Sequence, residues 1–212
     1  MKAEKLYPII SKWEEQWKRD CGGMLSPGVA TEFALLKEDL EKEMRNAAAK
    51  QGGVKSMYNA ANAIIKNAKK SYPDKPNIHG MYEDKNQYGE TVYCVCDGYT
   101  AARFKRNLPL ERIPDGSGEP FHLKNIVKMP DGAQQIVLPD LADIKVFCKT
   151  CNKDELYCLD EELDIYVNPV YLANIMGCLP NATAYARDGV SAIYFEAENG
   201  DGVLMPVRRA KA

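Results

Sequence analysis

The sequence predicts an α+β protein, a mostly antiparallel sheet with helices added, and three observations predict it. Apolar residues recur at helical spacing through the first 71 residues. From about residue 78 the spacing changes to short runs rich in Val, Ile, Tyr, Phe and Thr, separated by Gly, Asp, Asn and Pro. One later helix, opened by Asn168-Pro169, interrupts the strands. The bulk composition agrees with a folded domain: 45% of the 212 residues are hydrophobic and 27% charged, far from a disordered chain. With 28 Lys and Arg against 30 Asp and Glu the net charge is -2, so any contact with DNA or an acidic membrane must use a local patch.

The elements follow in order. Leu6, Ile9, Ile10, Trp13 and Trp17 form one stripe, with Lys12, Glu14, Glu15 and Lys18 off it. Cys21-Gly22-Gly23 and Ser26-Pro27-Gly28 break this helix, and Phe33, Leu36, Leu40, Met44 and Ala47 continue a second one. Residues 1–51 therefore read as a helical hairpin, its stripe packing on the main body or on a partner chain. Residues 52–212 read as an α+β domain. A third helix is expected over 54–71, with Met57, Ala60, Ala61, Ile64 and Ala68 on its apolar side and Lys55, Asn59, Asn62, Lys66 and Lys69 opposite. Strands are expected over 78–84, 91–96, 100–105, 144–150, 155–159 and 163–167. The helix over 168–179 offers Tyr171, Asn174, Cys178 and Asn181 on its outer side, and strands at 182–187, 192–198 and 203–208 close the chain.

A weak internal repeat emerges. Helix, acidic-tipped strand, polar turn and hydrophobic strand occur in that order after residue 54 and again after residue 168. Such a duplicated unit places two helices side by side on one face of a shared sheet.

Enzyme and metal signatures are sparse. There are only two histidines, His79 and His122, which leaves little room for imidazole chemistry. The sequence holds no Gly-x-x-x-x-Gly-Lys loop, no Gly-x-Ser-x-Gly and no His-Glu-x-x-His. Cys148, Cys151 and Cys158 supply three of the four ligands a closed zinc site needs, with no histidine nearby. The seven cysteines are an odd, scattered set, and together with the lack of a signal-peptide core or membrane-length apolar run they lead us to expect free thiols, a cytoplasmic location, no membrane, no metal and no cofactor.

The segment Tyr166-Val167-Asn168-Pro169-Val170-Tyr171-Leu172, its helix, and the closing Gly202-Val203-Leu204-Met205-Pro206-Val207-Arg208 resemble the C-terminal end of bacterial beta sliding clamps, the processivity factors of replicative DNA polymerases. Cys96-Asp97-Gly98-Tyr99-Thr100-Ala101 resembles that family's Thr-Asp-Gly-His-Arg-Leu turn, with Thr100-Ala101 standing where the family has Arg-Leu. A clamp chain has three such domains, and this chain has room for one.

The resemblance implies a DNA-clamp-like domain with no catalytic activity. It also implies a role in DNA replication or phage and mobile-element biology, tethering partners to duplex DNA as a homo-oligomer. The alternative is a clamp-fold interaction module without DNA binding. Sequence-independent DNA contact falls to Lys55, Asn59, Asn62, Lys66 and Lys69, since ammonium and amide groups hold phosphates without reading bases. Short hydrophobic clamp-binding peptides of replication proteins fall to two walls, Asp97, Gly98 and Tyr99 on one side and Met205, Pro206, Val207 and Arg208 on the other. In a clamp those walls belong to adjacent domains, so here they are expected to meet only across a chain-to-chain contact.

Overall fold

The computed structural model describes residues 2–152 and 154–208, and the chain divides into two compact units, Met1–Lys55 and Ser56–Ala212. In the first, α1 (Ala3–Asp20) packs on α2 (Pro27–Gln51). The Tyr7 hydroxyl donates to Glu41 Oε1 at 2.8 Å, the Lys37 ammonium meets the Glu14 carboxylate, and Trp17 meets the Phe33 ring edge-on with centroids 6.0 Å apart. Partners descend one helix as they ascend the other, so the two are antiparallel. Ala3, Ile10 and Leu40 fill the seam, as apolar positions three or four apart must when two amphipathic helices share a stripe.

The second unit holds α3 (Lys55–Ser71, beginning at the unit boundary), β1 (Tyr82–Lys85), β2 (Thr91–Cys96), β3 (Thr100–Phe104), β4 (Gln134–Ile136), α4 (Leu141–Thr150), β5 (Tyr157–Asp160), β6 (Ile165–Val167), α5 (Pro169–Cys178), β7 (Thr183–Ala186), β8 (Ile193–Ala197) and β9 (Gly200–Leu204). Mixed helix and antiparallel sheet is thus the observed class. Seven strands form one sheet in the order β1-β2-β3-β9-β8-β7-β4, all antiparallel, while β5 and β6 pair separately. The strands on either side of the β3–β9 seam follow mirrored order, β3-β2-β1 one way and β9-β8-β7 the other.

Alternation along the strands sorts the sheet into two faces. On one face lie Val95, Ala102, Phe104, Phe195 and Leu204, all fully buried. This face is covered by α5 and the residue that caps it: Ile175 and Leu179 approach the backbone of Gly202 so closely that a Cβ there falls 2.8 Å from Ile175 Cδ1. α3 comes alongside α5, since a Cβ on Gly177 falls 2.8 Å from the Ala60 methyl. On the other face Tyr82, Val92, Cys94, Cys96, Ala101, Tyr194 and Val203 are covered by Leu123 and Val127 from the long segment between β3 and β4.

Several expectations are corrected. Residues 144–150 lie in α4, not in a strand: Asp140 precedes Leu141, and Leu141, Ile144 and Cys148 recur three and four apart, a helical spacing hidden in a short run containing Ile, Val and Phe. The strand expected from residue 78 starts at Tyr82, because Pro76 opens a 3-10 turn ending at Ile78. The last strand starts at Gly200, because Glu198 and Asn199 alone make the turn, and it ends at Leu204 rather than 208. Cys178, expected on the outer side of its helix, is fully buried, and Asn181 lies beyond the helix with φ +58°. β4 was not expected at all, since its three residues carry no alternating apolar pattern. No helix of the described residues is long and apolar enough to cross a membrane.

Candidate peptide-binding groove

The turn between β2 and β3 is built by Asp97. Its Oδ1 accepts the backbone N–H groups of Thr100 at 2.7 Å and Tyr99 at 3.1 Å, and its Oδ2 lies 3.4 Å from the Asn67 amide of α3. Asp97 is 1% exposed, and burial raises its carboxyl pKa although these donors pull it back. Gly98 takes φ +87°, a conformation glycine alone adopts without strain, and a Cβ there falls 2.9 Å from the Tyr72 ring. Tyr99 is thereby thrown outward, 46% exposed, and stacks on Tyr171 of α5 with centroids 5.4 Å apart and planes 12° from parallel. The neighbouring Tyr99 hydroxyl, with some burial, raises the Tyr72 pKa, and burial raises that of Tyr171.

The second wall arrives on the same chain. β3 pairs with β9 from Thr100 opposite Leu204 to Phe104 opposite Gly200, and beyond the strand the Met205 N–H donates to the Tyr99 carbonyl at 2.8 Å. The Val207 N–H donates to the Tyr166 carbonyl at 2.7 Å, tying the tail to β6. The expectation that these walls meet only across two chains is therefore overturned: an antiparallel pairing between residues a hundred positions apart joins them within one chain.

Two adjoining cavities result. One, of about 210 Å³, has a floor of Cys96, Ala101, Val203 and Met205, with Phe121, Leu123 and Ile126 opposite and Lys75 at its rim. The other, of about 590 Å³, runs past Asn168 and Tyr171 to Pro206, Val207 and Arg208. Tyr72, Tyr99 and Met205 border both, so the two are lobes of one groove. Exposed apolar groups cluster there: Phe121 at 50%, Ile126 at 43% and Met205 at 38%. Burial holds the Cys96 thiol up at about 11, which keeps it a neutral apolar floor at physiological pH.

All seven residues expected in the two walls thus border this groove or the turn that shapes it, with Asp97 beneath it as scaffold and Arg208 exposed at its end. Residue types alone did not reveal Phe121, Leu123, Ile126, Tyr72 and Tyr171. The first three sit in a stretch of Pro, Gly and polar residues without periodicity, and their only signal is the apolar content itself.

The residues expected to face phosphate are less free. Lys69 Nζ donates to both carboxylate oxygens of Glu111, at 2.7 and 2.8 Å, and Lys55 donates to the Asn46 amide oxygen. Asn59 and Lys66 are exposed and Asn62 is half-buried. The described residues contain no cluster of three or more His, Cys, Asp or Glu able to hold a metal ion.

No protein-family model matches the chain, and no curated protein does. Among solved structures it is similar in part to a DnaN sliding clamp, DNA polymerase III subunit beta of Pseudomonas aeruginosa, bound to griselimycin. The identity is 18% over 58% of this chain and 43% of that one, with a TM-score of 0.34. The chain thus spans under half the length of that clamp chain.

Proposed function

We propose that this chain is a non-catalytic, clamp-like interaction protein whose groove takes a short hydrophobic peptide from a protein partner. The observation that carries the reading is the joining of the Asp97-Gly98-Tyr99 turn to the Met205-Pro206-Val207 segment by β3–β9 pairing, with an apolar cavity beneath both. A concave apolar lining bordered by a few polar groups suits side chains of Leu and Phe type, with the backbone of the peptide left to the rim. The mirrored strand order supports a duplicated helix-plus-sheet unit as the origin of the fold.

Fluorescence anisotropy with labelled short peptides carrying paired Leu and Phe residues tests this. Saturable binding is expected, weakened about tenfold or more by Phe121→Asp or Met205→Asp, a loss of about 1.4 kcal/mol per decade. Equal binding by wild type and both variants, or none to any such peptide, removes the reading.

The fuller role, tethering partners to duplex DNA in replication or in phage and mobile-element biology, rests on α3. Lys66 and Asn59 lie exposed and seven residues apart, hence on one side of the helix. Contact with phosphate by Lys69 requires giving up Glu111, so binding through this helix is weak and steeply salt-dependent. Retention on circular duplex DNA in about 50 mM salt, lost in Lys66→Glu, is its test.

A further inference from the structure

We infer that the α1–α2 hairpin pairs with a second copy of itself into a four-helix bundle. The Trp17–Phe33 contact lies on one side of the hairpin seam and the Tyr7–Glu41 hydrogen bond on the other. On the Trp17 side the apolar surface continues outward: Trp13, one turn before Trp17, is 60% exposed, Trp17 itself 49%, Leu36 of α2 43% and Ile9 38%. Helical spacing puts these four on one side of the hairpin, and two half-exposed tryptophans are an unusually large apolar area to leave in water.

The borders of this surface are charged, and oppositely. Along the outer edge of α1, Lys5 and Lys12 flank Ile9 at spacings of four and three. Along the outer edge of α2, Asp39 and Glu43 follow Leu36 at spacings of three and seven. All four charges are exposed. The register set by Tyr7–Glu41, Glu14–Lys37 and Trp17–Phe33 places Lys5 level with Glu43 and Lys12 level with Asp39, but on opposite edges of one hairpin.

A two-fold axis parallel to the helices brings those edges together. It lays α1 of each copy over α2 of the other, antiparallel, buries the tryptophan face, and sets Lys5 and Lys12 beside the partner's acidic edge twice over. The other face-to-face arrangement, α1 over α1, sets lysine against lysine and carboxylate against carboxylate. Charge therefore selects a second copy in one orientation.

Sedimentation equilibrium of the full chain, from about 1 to 100 μM, decides it. The wild type is expected at twice the chain mass. Trp13→Asp with Leu36→Asp is expected to be monomeric. Lys5→Glu with Lys12→Glu, and separately Asp39→Lys with Glu43→Lys, each place like charges on facing edges and are expected to dissociate at least about tenfold more readily. Mixed in equal amounts, these two charge variants are expected to pair again, because each edge then meets its opposite. Far-UV circular dichroism confirms that the charge variants keep their helices. A wild type that stays monomeric throughout, a dimer indifferent to the Trp13 and Leu36 changes, or a mixture that does not pair overturns the inference.

Discussion

Alternate residues of the same strands make the two faces of the seven-stranded sheet, yet the faces are closed differently. The face under α5 is sealed by a regular helix packed onto small residues, Ala102 and Gly202, with Phe104 and Phe195 fully buried between. The opposite face is closed by the largely irregular segment around Leu123, whose regular structure is one short 3-10 turn over Leu123–Asn125 and which side chains also hold: Asp84 Oδ2 accepts the Leu123 N–H at 2.9 Å, and the Asn77 amide donates to the Glu119 carbonyl at 3.1 Å. A helix satisfies its own backbone and can lie flat on apolar strands. An irregular segment cannot, and the space it leaves against Ala101 and Val203 is the groove. The difference teaches that a regular helix closes a sheet face without leaving space, whereas the segment on the other face leaves a cavity.

The sharpest way to break this comparison is Phe195→Ala on the helix-covered face. It should cost about 3 to 5 kcal/mol in denaturant unfolding, with peptide affinity of the folded fraction unchanged. An affinity change there would mean that the faces are coupled.

Asp201→Ala probes a buried ion pair on the groove-side face. Arg103, 3% exposed, donates from Nε to Asp201 Oδ1 at 2.8 Å and from Nη2 to Oδ2, while its Nη1 has no hydrogen-bond partner among the described residues. Removing the carboxylate leaves a buried guanidinium unpaired, so a loss of about 3 kcal/mol is expected by chemical denaturation, and Asp201→Asn should lose less. A neutral result would show that Arg103 is hydrated.

Gly98→Ala is expected to cost less, about 1 to 2 kcal/mol for a positive φ, and to reduce peptide affinity because the new methyl displaces Tyr72. Stability and affinity falling together at this site, but not at Phe195, sharpens the division between faces.

The smallest effect belongs to His122. Hydrogen bonds to Glu119 at 3.0 Å and Asp84 at 3.4 Å raise its pKa in the folded protein. Its contribution is therefore complete below the unfolded value of about 6.5 and is lost as pH rises through the folded-state value. Hydrogen exchange in residues 119–127 should be slightly faster at high pH than chemical exchange alone explains, and His122→Gln should remove that excess.

Particular residues show where sequence was enough. Asn168-Pro169 marks the start of α5, and Asn168 Oδ1 indeed accepts the Val170 N–H at 2.9 Å. The stripe from Met57 to Ala68 marks α3, and glycine and asparagine turns bracket β2, β3, β8 and β9. Residues 144–150 misled because Ile, Val and Phe favour strands intrinsically, whereas the apolar spacing and the neighbouring α5 made them helical.

What the sequence determined by itself was local: periodicity, caps and turns act within a few residues, so α1, α2, α3, α5 and the strong hairpin turns were legible along the chain, whereas α4 was not. Which strand edges meet was decided only by the tertiary structure, because pairing β3 with β9 closes a loop of about a hundred residues and depends on every element packed between them. That pairing turned two separate motifs into one groove, and the covering segment around Leu123, without periodicity of its own, took its place only once the sheet face it covers existed.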